Sequence, residues 1–183
     1  MMKKIDNQKE ATMKLVKLAL AGIALAISTS SFAVDGYKDL KFGMSLAQVK
    51  KSKLCEKGWL ELKKDLSYAC FTFKFGKGKS NAIAFFINDK LERIAIPIDG
   101  QGSAVSNGLL EKYGKPSSMT EGMPTDGKFP PDSRWDFRFD NDTIIYRAAF
   151  DSSGKGSEYL IYTTPDFDNK TMEQEKQTIS GDL

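Results

Sequence analysis

The 183-residue chain contains no histidine, so it lacks the side chain most often used for general acid and base catalysis near neutral pH. Serine activation by a His base and His-containing metal sites are excluded with it. Two pairs of carboxylates stand close enough in sequence to act together, Asp140 with Asp142 and Asp166 with Asp168. The first pair belongs to Asp140-Asn141-Asp142, between two alternating segments, which is turn chemistry. The second sits where the ordered pattern ends. A cysteine nucleophile needs a thiolate and an activating base, and no base accompanies Cys55 or Cys70. Gly76-Lys77-Gly78-Lys79-Ser80 has the end of a phosphate-binding loop without its first glycine. It also lies between strands instead of before a helix, so it reads as a hairpin. No catalytic residue, metal ligand or cofactor site is assigned, and the chain is expected to be non-enzymatic.

The side chains left for recognition are few. Cys55 and Cys70, an even count in a chain expected to be exported, are expected to form one structural disulfide. Trp59 and Tyr68 fall inside the loop that this bond closes. An aromatic residue on a stapled loop can anchor a partner, or it can cover an end of the sheet. Arg134, Asp136, Arg138 and Arg147 share the polar face of a strand group and are candidate rim contacts.

Export is read from the N-terminal segment. Lys14 and Lys17 precede an apolar run over residues 18–27, followed by small polar residues and Ala33. This is the pattern of a secretory signal peptide, with cleavage between Ala33 and Val34. The run is shorter than the roughly 20 residues that a membrane-spanning helix needs, and no cysteine follows the small-residue site, so no stable membrane anchor is expected. Met13 is an alternative start. The leader also explains the basic balance. It holds five lysines against Asp6 and Glu10, and the remainder carries 22 basic and 22 acidic residues of the total of 27 and 24. A nucleic-acid partner is therefore not expected. The three segments are a leader at 1–33, a single domain at 34–165, and a polar tail at 166–183 expected to be disordered.

The elements that must position these residues follow from pattern. Ser45 and Gln48 make a capping box, with Met44 and Val49 as a hydrophobic staple, opening a helix over about 46–54. Phe71, Phe73 and Phe75 alternate along a strand at 70–75, and strands at 82–87 and 91–98 complete a meander. A second helix is expected at 103–113, ended by Gly114 and Pro116. A loop at 117–132 then leads to strands at 134–139, 143–150 and 158–163, with Trp135, Phe137 and Phe139 on one face. The fold class is α+β, an antiparallel sheet with two short helices on one face. The repeated order reads as two weakly similar helix-plus-meander units.

With that order in place, Lys41-Phe42-Gly43-Met44-Ser45-Leu46-Ala47-Gln48-Val49, followed by Cys55 and Cys70, resembles a known unit. It is similar to the opening motif of the β-lactamase inhibitory protein superfamily, which includes the small outer-membrane lipoprotein of the barrel-assembly machinery. The match covers about 37–98, and the second half agrees in topology only. The resemblance implies tandem helix-plus-sheet units with a helix-to-strand disulfide at Cys55 and Cys70. It also implies a protein-binding role, as an inhibitor or immunity protein acting on an envelope hydrolase or toxin. The expected location is the periplasm or the exterior, and the expected partner is another envelope or secreted protein. An accessory role in envelope assembly and a small-ligand carrier are the alternatives.

Overall fold

The structure, a computed structural model, describes residues 33–124 and 128–182. The expected leader lies outside the described residues except for Ala33, so the signal segment has no structural account here.

The first turns form as local chemistry dictates. Strands β1 (Gly36–Tyr37) and β2 (Leu40–Lys41) make a small hairpin. Gly36 has φ 145°, and a Cβ there would overlap the Leu40 carbonyl oxygen, so only glycine closes this contact. Helix α1 (Leu46–Val49) starts at the expected capping box. The Gln48 N–H donates to Ser45 Oγ at 3.3 Å, and the Ser45 N–H donates to Gln48 Oε1 at 2.8 Å. The helix is shorter than the expected 46–54. Beyond Ser52 the chain turns toward the sheet, where the Leu54 carbonyl accepts from the Lys74 N–H at 2.8 Å and Cys55 bridges to Phe73. Tertiary pairing ends the helix before its sequence would.

The remaining strands are β3 (Leu60–Lys63), β4 (Ser67–Phe75), β5 (Gly78–Ile87), β6 (Lys90–Pro97), β7 (Ser118–Met119), β8 (Arg134–Phe139), β9 (Ile144–Phe150) and β10 (Gly156–Thr163). They form an antiparallel sheet of eight strands in the order β3-β4-β5-β6-β10-β9-β8-β7. Two meanders thus meet edge to edge where Ile96 pairs with Leu160 and Ala95 with Ile161. Helix α2 (Gly102–Tyr113) crosses from the first meander to the second. The Asp140-Asn141-Asp142 turn has φ between 52° and 64° at all three residues, a conformation that Asn and Asp tolerate better than other side chains.

One expectation about a shared face fails. Phe73 is buried, but Phe71 is 61 % exposed. A register shift between Cys70 and Phe73 breaks the alternation of β4, so the two phenylalanines no longer point the same way.

Each face of the sheet has its own cover. On one, Ile94, Ile96, Phe139, Ile144 and Leu160 share the main buried cluster with Val49 of α1 and Leu109 of α2. On the other, Ala95, Ile145 and Ile161 form a smaller cluster against Phe85 and Tyr159. The segment expected to be a disordered tail is instead helix α3 (Phe167–Asp182). Its first turn is pinned by Phe167, whose ring lies 5.9 Å from that of Phe85 and under the Arg93 guanidinium at 3.8 Å. Arg93 also pairs with Asp168 at 2.9 Å, and Lys170 with Glu92 at 2.9 Å. The four apolar residues of the 166–183 segment, Phe167, Met172, Ile179 and Leu183, are too sparse to make a periodic stripe, which is why composition misread it. Among the described residues, no helix is long and apolar enough to cross a membrane.

Candidate functional site

Cys55 and Cys70 are joined in a disulfide that closes a span of 15 residues. Trp59 within this loop is partly buried. Its ring meets Phe73 edge-on at 6.1 Å, and its indole N–H is buried without an acceptor. Tyr68 is only 5 % exposed and donates to Glu61 at 2.9 Å. Burial and that bond push its hydroxyl up to about 12. Both rings thus spend most of their surface on packing, and what the loop exposes instead is Leu60 and Leu62 of β3.

The four polar residues of the second meander do come together, on the sheet face opposite the main cluster. Asp136 is 4 % exposed and accepts from Arg147 Nε and Nη2, each at 2.7 Å. Arg138 stands at 3.4 Å and Arg134 at 3.9 Å from the same carboxylate. The pairing follows from register, since Asp136 on β8 lies directly across from Arg147 on β9. Burial works to raise the Asp136 carboxyl, but the hydrogen bonds of Arg147 and the charges of Arg147, Arg134 and Arg138 outweigh it, and it titrates below its ordinary value. Arg134 alone is well exposed, so the group is a largely satisfied network rather than an open rim.

The other sequence candidates resolve into structure. Asp140 and Asp142 shape a turn and receive Thr143, Ser117 and Ser118 hydroxyls. Asp166 pairs with Lys170 and Asp168 with Arg93. The Gly76–Ser80 stretch is the β4–β5 hairpin, with Lys79 paired to Glu56 at 2.6 Å. Among the described residues, no group of three or more His, Cys, Asp or Glu side chains is placed to hold a metal ion. Ala33 and Val34, the expected cleavage pair, stand at the start of the described chain, and the Val34 N–H donates to Asp140 Oδ2 at 2.5 Å.

One apolar concavity among the described residues was not legible in the sequence. A cleft of about 710 Å³ opens between α2, the segment after it and the second meander. Leu110 comes from α2, Met119 from β7, Met123 and Phe129 from the segment between β7 and β8, and Phe137, Tyr146 and Phe150 from β8 and β9. Phe129 stacks on Phe150 within the lining, with centroids 4.5 Å apart. Tyr146 donates its hydroxyl to Glu158, and burial together with this bond raises its titration well above the ordinary value, so it remains a donor. The available signal was the placement of Met119, Met123 and Phe129 in a loop otherwise rich in Gly, Pro, Ser and Thr. Apolar side chains in such a loop need a surface to cover or a partner to meet.

Residues 37–182 match the protein family described as "Uncharacterised protein". The chain belongs to that family. A Haemophilus influenzae member of the curated proteins, "Uncharacterized protein", is 41 % identical over 179 residues, covering 93 % of this chain and 100 % of its own length. "Uncharacterized protein PM0314" of Pasteurella multocida is 33 % identical over 107 residues, which is 52 % of this chain and 55 % of that protein. No solved structure matches. The span shared with the family contains both cysteines, the Asp136 network and every residue lining the cleft, and it begins after Val34.

Proposed function

We propose that this chain is an exported, non-enzymatic binding protein of the cell envelope that docks another envelope or secreted protein, in the manner of an inhibitor or immunity protein. The observation that carries the reading is the cleft. Its volume of about 710 Å³ falls in the range of roughly 300–1,000 Å³ typical of ligand sites. Leu110 and Met119 at its mouth are 47 % and 55 % exposed. Met and Phe lips of this kind adapt to an inserted side chain. The order helix, short edge strand, three-strand meander occurs twice along the chain, which supports the resemblance to tandem inhibitor units. The disulfide supports an oxidising compartment. A small-ligand carrier is the second reading, favoured by the same cleft volume.

The test uses substitutions at the mouth. Leu110→Asp and Met119→Asp replace exposed side chains, so stability should change by no more than about 0.5 kcal/mol each. Capture of a single stoichiometric partner from periplasmic extract should fall at least ten-fold in both, while Leu62→Asp on the far edge leaves it unchanged. Undiminished capture by both mouth variants would remove the cleft from the interface. An apolar small molecule found bound in place of any protein would favour the carrier.

Export makes a separate prediction. Hydrolysis of the Ala33–Val34 bond turns the Val34 amide into an ammonium group already beside Asp140. A charge-assisted bond is stronger than the amide bond it replaces. Protein beginning at Val34 should therefore exceed its N-acetylated form in stability by about 1 kcal/mol, a typical value for one net hydrogen bond. The difference should vanish in Asp140→Asn, and urea unfolding of the four proteins measures it. Equal stability of the free and acetylated forms would count against a terminus at Val34.

A further inference from the structure

We infer that the cleft receives a basic side chain of the protein partner, flanked by apolar ones, with the cation placed at Glu158 and Asp99. The inference rests on the docking reading above and names the chemistry of the docked segment. Among the described residues, two carboxylates, Asp99 and Glu158, line the cleft, and no Lys or Arg does. Lys115, Lys128 and Lys155 neighbour lining residues in sequence without lining it themselves. The carboxylates of Asp35, Glu56, Glu92, Asp136, Asp166 and Asp168 all have a cation of this chain beside them. Glu158 and Asp99 are held by neutral donors instead. The Tyr146 hydroxyl donates to Glu158, and the Glu158 backbone N–H donates to Asp99 at 2.8 Å.

The Glu158 carboxylate is also fixed in place. It packs against Gly102 in the first turn of α2, so closely that a Cβ at residue 102 would overlap it. The positive end of the helix dipole faces it there. The neutral donors position the carboxylate without supplying a counter-ion, and the helix N-terminus, equivalent to roughly half a positive charge, offsets only part of its negative charge. Leu110, Met119, Phe137 and Phe150 line the same cleft, and their apolar surface lowers the local dielectric and strengthens the attraction felt by an arriving cation. A Lys or Arg side chain suits both parts, because its aliphatic stem lies along apolar surface while its head reaches the carboxylate. An acidic residue at the same position would be repelled, which supplies specificity as well as affinity.

The probes are three blocked peptides, acetyl-Phe-Lys-Phe-amide and its counterparts with norleucine or glutamate in the centre. Binding is followed through the methyl resonances of Met119 and Met123 in the full exported domain. The lysine peptide should bind at least ten-fold tighter than the norleucine peptide, and the glutamate peptide weakest of the three. Glu158→Gln should reduce the lysine preference at least five-fold, and Asp99→Asn provides a second variant should the first fold poorly. Equal binding of the lysine and norleucine peptides, or a preference untouched by both variants, overturns the inference while leaving the apolar docking site standing. Failure of all three peptides to shift either methyl overturns both.

Discussion

Replacing Cys55 and Cys70 together with Ala should lower the stability of the domain by about 2 to 5 kcal/mol without a change of fold. The bond closes 15 residues, and the chain-entropy model assigns roughly 3 kcal/mol to a loop of that length. Packing adds to this, because both cysteines lie in the main buried cluster beside Phe73. The fold should survive because β4 is held on its other side by pairing with β5 both before and after the register shift, and the sheet beyond it does not depend on the loop. Urea unfolding of the wild-type protein with and without reductant, beside the double variant, measures the effect. Titratable thiols in the native protein, or a midpoint unmoved by reduction, would contradict it.

Asp136→Ala should be nearly as damaging, at about 3 kcal/mol, the cost of breaking a buried pair by removing one partner. Arg147 would keep its charge with its two bonds gone, and Arg138 beside it would turn a mutual attraction into repulsion. A paired change of Asp136 and Arg147 to Leu and Met should be milder than Asp136→Ala alone, since no uncompensated charge remains. The same group sets a pH dependence. Its carboxyl titrates lower in the folded state than in the unfolded chain, so its contribution is fully present above the ordinary carboxylate value of about 3.9 and is lost as pH falls through the folded value. Acid unfolding of Asp136→Asn should lack that component. An Asp136→Ala protein as stable as the wild type would show that the arginines are satisfied by solvent.

Features built from neighbours in sequence were readable directly. Ser45 and Gln48 cap α1 because the two side chains are three residues apart and need nothing else. The Asp140-Asn141-Asp142 turn and the run Arg134–Phe139 follow from local conformational preference and alternation. The pairing of Cys55 with Cys70 followed from count alone, there being no other cysteine to choose. Features that join distant segments were not readable. A register shift in β4 turns Phe71 outward, and a shift depends on how β5 lies alongside. Contact with Phe85 and Arg93 orders α3 from a segment whose own composition is polar. The polar residues Arg134, Asp136, Arg138 and Arg147 were visible as one face, but the β8–β9 register decided that Arg147 would neutralise Asp136 and that little of the group would remain open. The cleft is the clearest case, because Leu110, Met119, Phe137, Phe150 and Glu158 come from five different places in the chain. Local preference acts through a few bonds and survives in sequence as pattern, whereas a concave surface exists only once the second meander has closed against α2.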